Sequence, residues 1–266
     1  MSVATIIEKC RADNRAALIG YLPVGFPSVE GSISAMKVLV ESGVDIIEIG
    51  VPYSDPVMDG PVIQDAAVRA LAAGVHLTDI FTAAHEVSAA GAGALVMTYW
   101  NPVLRYGVER FAADLAAAGG AGLITPDLIP DEAGDWIAAA DAHDLDKVFL
   151  VAPSSTPERL EAVTSQCRGF VYATAVMGVT GARASVGEAA DALVSRTREH
   201  TDLPVCVGLG VSTGDQAAQV GRYADGVIVG SALVRCLTEA DSDEQGLEAL
   251  GALARELADG VRRGRS

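Results

Sequence analysis

The stretch Asp45–Pro61, DIIEIGVPYSDPVMDGP, decides how this chain is read. Ile46 and Ile47 form a short apolar run that ends at a carboxylate, Glu48. The chain then leaves through Gly50 and Pro52 into a polar loop with two more acids, Asp55 and Asp59, and closes at Gly60-Pro61. Burying an acid in an Ile-rich strand costs free energy, so Glu48 requires a reason beyond solubility. In enzymes built on parallel strands, a carboxylate at a strand's carboxyl end, facing another on the following loop, forms an acid–base pair.

Outward from this stretch, short apolar runs alternate with longer Ala-rich helical patterns. The runs are 17–22, 46–50, 94–98, 122–125, 148–151, 170–173, 205–207 and 226–229. Helical patterns fall at 29–41, 66–73, 111–118, 131–143, 157–165, 188–199, 215–221 and 246–263. Continuous apolar strands alternating with amphipathic helices predict a parallel sheet covered by helices. Eight such repeats predict a closed (β/α)8 TIM barrel rather than an open doubly wound sheet. The first turn, LPVGFPS, is not the GxGxxG of a dinucleotide fold. Residues 2–13 predict an extra helix before the first strand, placed to cap the bottom of the barrel, and 77–90 a second inserted helix. No linker interrupts the pattern, so 1–266 is expected to be one domain.

Composition agrees with that size and narrows the function. The 266 residues suit one barrel, which takes about 250. Half the residues are hydrophobic but only 5% aromatic, so Ala, Val, Leu and Ile must build the core. A net charge of −16 repels nucleic acid and anionic membranes. Cys10, Cys167, Cys206 and Cys236 are far apart without a CxxC, as expected of free thiols in a cytoplasmic protein. The N-terminus lacks the apolar stretch of a signal peptide, and no run reaches the ~18 residues of a membrane span.

Three glycine-bearing segments late in the chain carry the second functional signal: 177–182 (MGVTGA), 207–212 (VGLGVS) and 228–233 (IVGSAL). Glycines after strand seven, and a Gly-Ser opening a short helix after strand eight, are the usual phosphate grip of barrels. Glycine lets backbone amides approach an anion, and a helix N-terminus adds partial positive charge. An anion can thus be held despite the acidic surface. Asp55, before Pro56, reads as a residue that bonds its own loop. Tyr21, Met97, Tyr99 and Tyr172 end strands and can line an apolar pocket. His76, His85, His143 and His200 fall in helical or flanking stretches without metal-ligand spacing, and no metal site is expected.

The segment Glu48–Asp65, EIGVPYSDPVMDGPVIQD, closely resembles the signature loop of the tryptophan synthase alpha subunit family. GVTGAR, VGLGVS and DGVIVGSALV are similar to that family's later segments, in the same order, so the resemblance spans the chain. It implies a lyase that splits indole-3-glycerol phosphate into indole and glyceraldehyde 3-phosphate for tryptophan biosynthesis, with no metal or organic cofactor of its own. Glu48 matches the family's acid–base glutamate, and Asp59 the aspartate that holds the indole N–H. Tyr21, Met97, Tyr99 and Ile124 match indole-pocket positions, and Tyr172 the aromatic residue beside the substrate. Gly181, Gly208, Leu209, Gly210, Gly230 and Ser231 match the phosphate segments, and Thr180 the lid threonine. Leu209 and Tyr21 stand where Phe is frequent, and Met58 where a small residue is frequent. The resemblance further implies an α2β2 complex with a pyridoxal-phosphate beta subunit that receives the indole. A stand-alone lyase releasing free indole is the alternative, because it would keep the same residues.

Overall fold

The computed structural model describes residues 2–174 and 183–265, with side chains in the second span described from residue 187. Among these residues, nine parallel strands form one sheet. They are β1 (Ala17–Pro23), β2 (Ile46–Gly50), β3 (Gly93–Met97), β4 (Gly122–Ile124), β5 (Asp146–Val148), β6 (Leu150–Val151), β7 (Val171–Thr174), β8 (Val205–Gly208) and β9 (Gly226–Val229). Their order, β5-β4-β3-β2-β1-β9-β8-β7-β6, is that of a barrel opened between β5 and β6.

β5 and β6 are two pieces of one run, interrupted at Phe149. β5 pairs with β4 and β6 with β7, while the Phe149 carbonyl accepts the Tyr172 N–H at 3.1 Å, so the ring closes across the break. The result is the expected (β/α)8 barrel of eight barrel strands, with the fifth broken where the sequence reads as continuous.

Strand alternation explains where the core lies. Ala17 and Ile19 of β1, Ile46 of β2, Leu95 of β3, Ile124 of β4, Val148 of β5, Cys206 of β8 and Ile228 of β9 pack together inside the barrel. Residues in between, such as Leu18, Ile47, Val96, Val171, Val205 and Val227, face the helices in a larger outer cluster. Glu48 and Tyr21 lie two residues beyond Ile46 and Ile19, on the inward face at the carboxyl ends of their strands.

The helix Val3–Ala12 closes the opposite end. Ser2 caps it by accepting the Ala4 N–H at 3.3 Å. Its buried face, Val3, Ile7 and Cys10, packs into the interior cluster. The buried carboxylate of Asp146, at the start of β5, accepts the Val3 N–H at 2.7 Å and the Ser2 hydroxyl at 2.8 Å. The second expected insertion is the helix Asp79–Ala89. Three elements differ from expectation, one being the helix Arg183–Arg198, which begins five residues before the pattern at 188–199. The helix after β2 runs Pro61–Ala72, five residues earlier than the Ala-rich pattern, because Pro61 occupies the first helical position where a missing N–H costs nothing. A helix at Trp100–Tyr106 follows β3, where Asn101-Pro102 reads as a loop.

Candidate active site

Glu48 reaches the site by register. It pairs with Tyr21 of β1 and Leu95 of β3, at the top of the barrel interior. It is 1% exposed, and neither carboxylate oxygen has a hydrogen-bond partner among the described residues. Burial alone pushes its pKa up from 4.5 to about 8. A carboxyl so placed is protonated at neutral pH yet close to giving its proton away, as general acid–base exchange demands.

Asp59 arrives from the loop 51–60, and β3 and its following helix hold that loop. The Tyr99 hydroxyl accepts the backbone N–H of Val57 at 3.2 Å and of Met58 at 3.0 Å. The Tyr53 and Tyr99 rings lie 5.2 Å apart, and Asn101 Nδ2 donates to the Tyr53 hydroxyl at 3.3 Å. Gln64 Nε2 donates to the Asp59 carbonyl at 2.7 Å, fastening the loop to the next helix. Asp55 accepts the Ser54 hydroxyl at 2.6 Å within the loop. Burial raises the pKa of the Asp59 carboxyl, and the Tyr99 hydroxyl opposes that rise.

Glu48 and Asp59 line one cavity of about 260 Å³ at the carboxyl ends of the strands. Part of its lining is apolar: Tyr21, Met97 and Tyr172 with Met58, Ile63, Leu150 and Ile228. Another part is backbone-rich: Gly208, Leu209, Gly210, Gly230 and Ser231. Gly210 has φ +76°, a conformation that glycine adopts without strain. A Cβ on Gly208 would fall 2.7 Å from the Tyr172 hydroxyl, so that position also requires glycine. The helix Ser231–Thr238 begins at Gly230 with no side chain capping its amides. No lysine or arginine lines the cavity among the described residues. An anion there would be held by amides and the helix N-terminus rather than by a cation.

Two anticipated residues sit apart from this lining. Tyr99 walls a small neighbouring void with Tyr21, Asp59 and Met97. Ile124 is fully buried in the interior packing. Thr180 and Gly181 lie outside the described residues. Ile63, Leu150, Thr174 and Ile228 line the cavity without a sequence signal of their own. Alternation finds two of them, because Thr174 lies two residues beyond Tyr172 and Ile228 two before Gly230. The arrangement suits a flat apolar group joined to a phosphate, with a proton-transferring carboxyl in the same lining.

Comparison with known proteins gives a concordant result. The family model described as "Tryptophan synthase alpha chain" matches residues 7–262. A tryptophan synthase alpha chain of Mycobacteroides abscessus is 63% identical over 258 residues, covering 97% of this chain and 96% of the relative. A tryptophan synthase structure from Mycobacterium tuberculosis contains a chain that superposes with a TM-score of 0.91 at 61% identity, covering 98% of both chains. The tryptophan synthase subunit alpha of Legionella pneumophila superposes with a TM-score of 0.88 at 32% identity, again covering 98% of both.

Proposed function

The chain belongs to the tryptophan synthase alpha family and is a carbon–carbon lyase of tryptophan biosynthesis acting on indole-3-glycerol phosphate, and we propose that Glu48 and Asp59 carry its chemistry. The observation behind that assignment is the buried, unpartnered Glu48 carboxyl opening onto a cavity with apolar and amide-rich lining.

Indole is a poor leaving group until its ring is protonated at C3. Glu48, neutral at physiological pH, supplies that proton. The bond between C3 and the glycerol chain then breaks as the adjacent hydroxyl loses its proton, giving indole and the aldehyde of glyceraldehyde 3-phosphate. The Glu48 carboxylate, having lost its proton, accepts the hydroxyl proton and is regenerated. Asp59 accepts a hydrogen bond from the indole N–H and stabilises positive charge developing on the ring. Tyr21, Met97 and Tyr172 line the indole site, with Tyr99 in the neighbouring void and Ile124 paired in register with Met97. Gly181, Gly208, Leu209, Gly210, Gly230 and Ser231 hold the phosphate, and Thr180 closes the site. Such chemistry needs no cofactor in this chain, and the residues proposed to carry it are the acids above.

The partner is a beta subunit, which carries the pyridoxal phosphate and receives the indole within an α2β2 assembly. In support, exposed Val57, Met58, Leu104 and Ile129 all lie on segments that follow strands at the cavity end of the barrel. A cytoplasmic enzyme forming one domain over 1–266 is consistent with these features. No described helix is long and apolar enough to cross a membrane. Indole release from indole-3-glycerol phosphate by purified protein, with and without a beta subunit, tests the whole reading. Slow turnover that rises strongly with the partner supports it. Fast turnover alone favours the stand-alone lyase, and none in either condition removes the proposed activity.

A further inference from the structure

The carboxyl end of β7 contributes a polar group that the acid pair and the glycine segments leave unused. Inward-facing residues alternate along β7, so Tyr172 and Thr174 share one face while Val171 and Ala173 face the outer layer. Thr174 pairs in register with Gly208 of β8 and lines the same cavity as Gly208 and Ser231. It stands one pleat closer to the mouth than Tyr172, beside Gly208. Among the described residues its hydroxyl donates to the Val151 carbonyl at 3.4 Å, at the outer limit of hydrogen-bond length. A threonine hydroxyl has one proton to donate, and so long a contact holds it weakly, so it can turn to an acceptor on the cavity side.

We propose that Thr174 is a specificity-determining residue whose hydroxyl hydrogen-bonds the phosphate end of the substrate's glycerol tail, beside the Gly208 amide. The assignment rests on the phosphate ester reading of the cavity. The geometry favours it: among the described residues no cation lines the cavity, so neutral donors near Gly208 share in the recognition of a dianion. A hydrogen bond to a charged group is among the stronger ones, and losing it corresponds to about a tenfold or greater change in binding.

The test is steady-state kinetics of Thr174→Val and Thr174→Ser in the complete enzyme with its partner, beside the unaltered protein. Valine keeps the volume and β-branching and removes only the hydroxyl, whereas serine keeps the hydroxyl. The expected result is a KM for indole-3-glycerol phosphate about tenfold higher in Thr174→Val with kcat changed far less, and recovery in Thr174→Ser. Inhibition by glycerol 3-phosphate should weaken in parallel in the valine variant, while inhibition by indole, which engages only the apolar lining, stays unchanged. Unchanged KM and glycerol 3-phosphate inhibition in a folded Thr174→Val overturn the proposal. So does equal weakening towards indole, which marks a merely structural role through Val151. If the unaltered protein itself fails to cleave the substrate, it is the underlying activity that falls instead.

Discussion

At the scale of the residue, the proposed acid–base group Glu48 also bears on stability. Its carboxyl is raised from 4.5 to about 8 by burial, so the folded state binds a proton that the unfolded chain has released across that interval. Stability contributed by this site is therefore present below about pH 4.5 and falls as pH rises towards 8. A Gln side chain mimics the protonated acid without ever ionising. Glu48→Gln should thus stabilise the fold, with the gain widening from pH 5 to 8 and reaching on the order of 3 kcal/mol. Urea unfolding across that pH range measures it, and a pH-independent difference would mean that Glu48 is not buried as a neutral acid. Asp59 is the second site. Asp59→Asn should lower kcat more than it raises KM, because charge on the indole ring develops in the transition state; an effect on KM alone would reduce Asp59 to a positioning group.

At the scale of the element, the proposed phosphate site is built from two glycine-bearing turns and one short helix. A Cβ on Gly230 would make only ordinary van der Waals contact, the nearest atom being Tyr21 Cβ at 3.6 Å. Gly230→Asp should therefore fold normally while its carboxylate repels the substrate's phosphate. Its KM should rise at least tenfold, and an unchanged KM would move the phosphate elsewhere. That these glycines reach the cavity was legible in sequence, because a residue type tied to backbone geometry leaves a pattern. The apolar acid-bearing strand β2 was legible at both ends, as was the helix Val29–Glu41. Phe149 was not: an apolar run shows that residues are buried but not where ladder pairing lapses. The Trp100–Tyr106 helix was hidden because a proline in its first turn looks like a loop when tertiary contacts are unknown. Thr174 and Leu150 are ordinary strand residues by type, and only the register that places them at the cavity gives them meaning.

At the scale of the whole molecule, the barrel is tied together at the end opposite its chemistry. Asp225, just before β9, is 2% exposed and takes hydrogen bonds from Arg11 of the first helix, Arg198 of the helix before β8, and Arg265 near the C-terminus. Burial alone would raise its pKa, but the Arg11 hydrogen bond, the Val205 N–H and Arg198 together lower it to about 2. Its contribution is present above the unfolded carboxylate range and is lost as pH falls through about 2. Asp225→Ala should cost about 2–4 kcal/mol at pH 7 while leaving KM unchanged, because three arginines lose their shared partner far from the cavity. Unfolding midpoints and kinetics on the same variant separate those two effects, and the destabilisation should shrink in acid below about pH 4. This division leaves the cavity end free to carry an unsatisfied acid that the rest of the barrel can tolerate. The most direct measurement of that arrangement is indole release by Glu48→Gln, with glycerol 3-phosphate binding followed on the same sample. Loss of nearly all turnover with phosphate binding and fold retained is the expected result; turnover near that of the unaltered protein would contradict the assignment of Glu48 as the proton-transferring group.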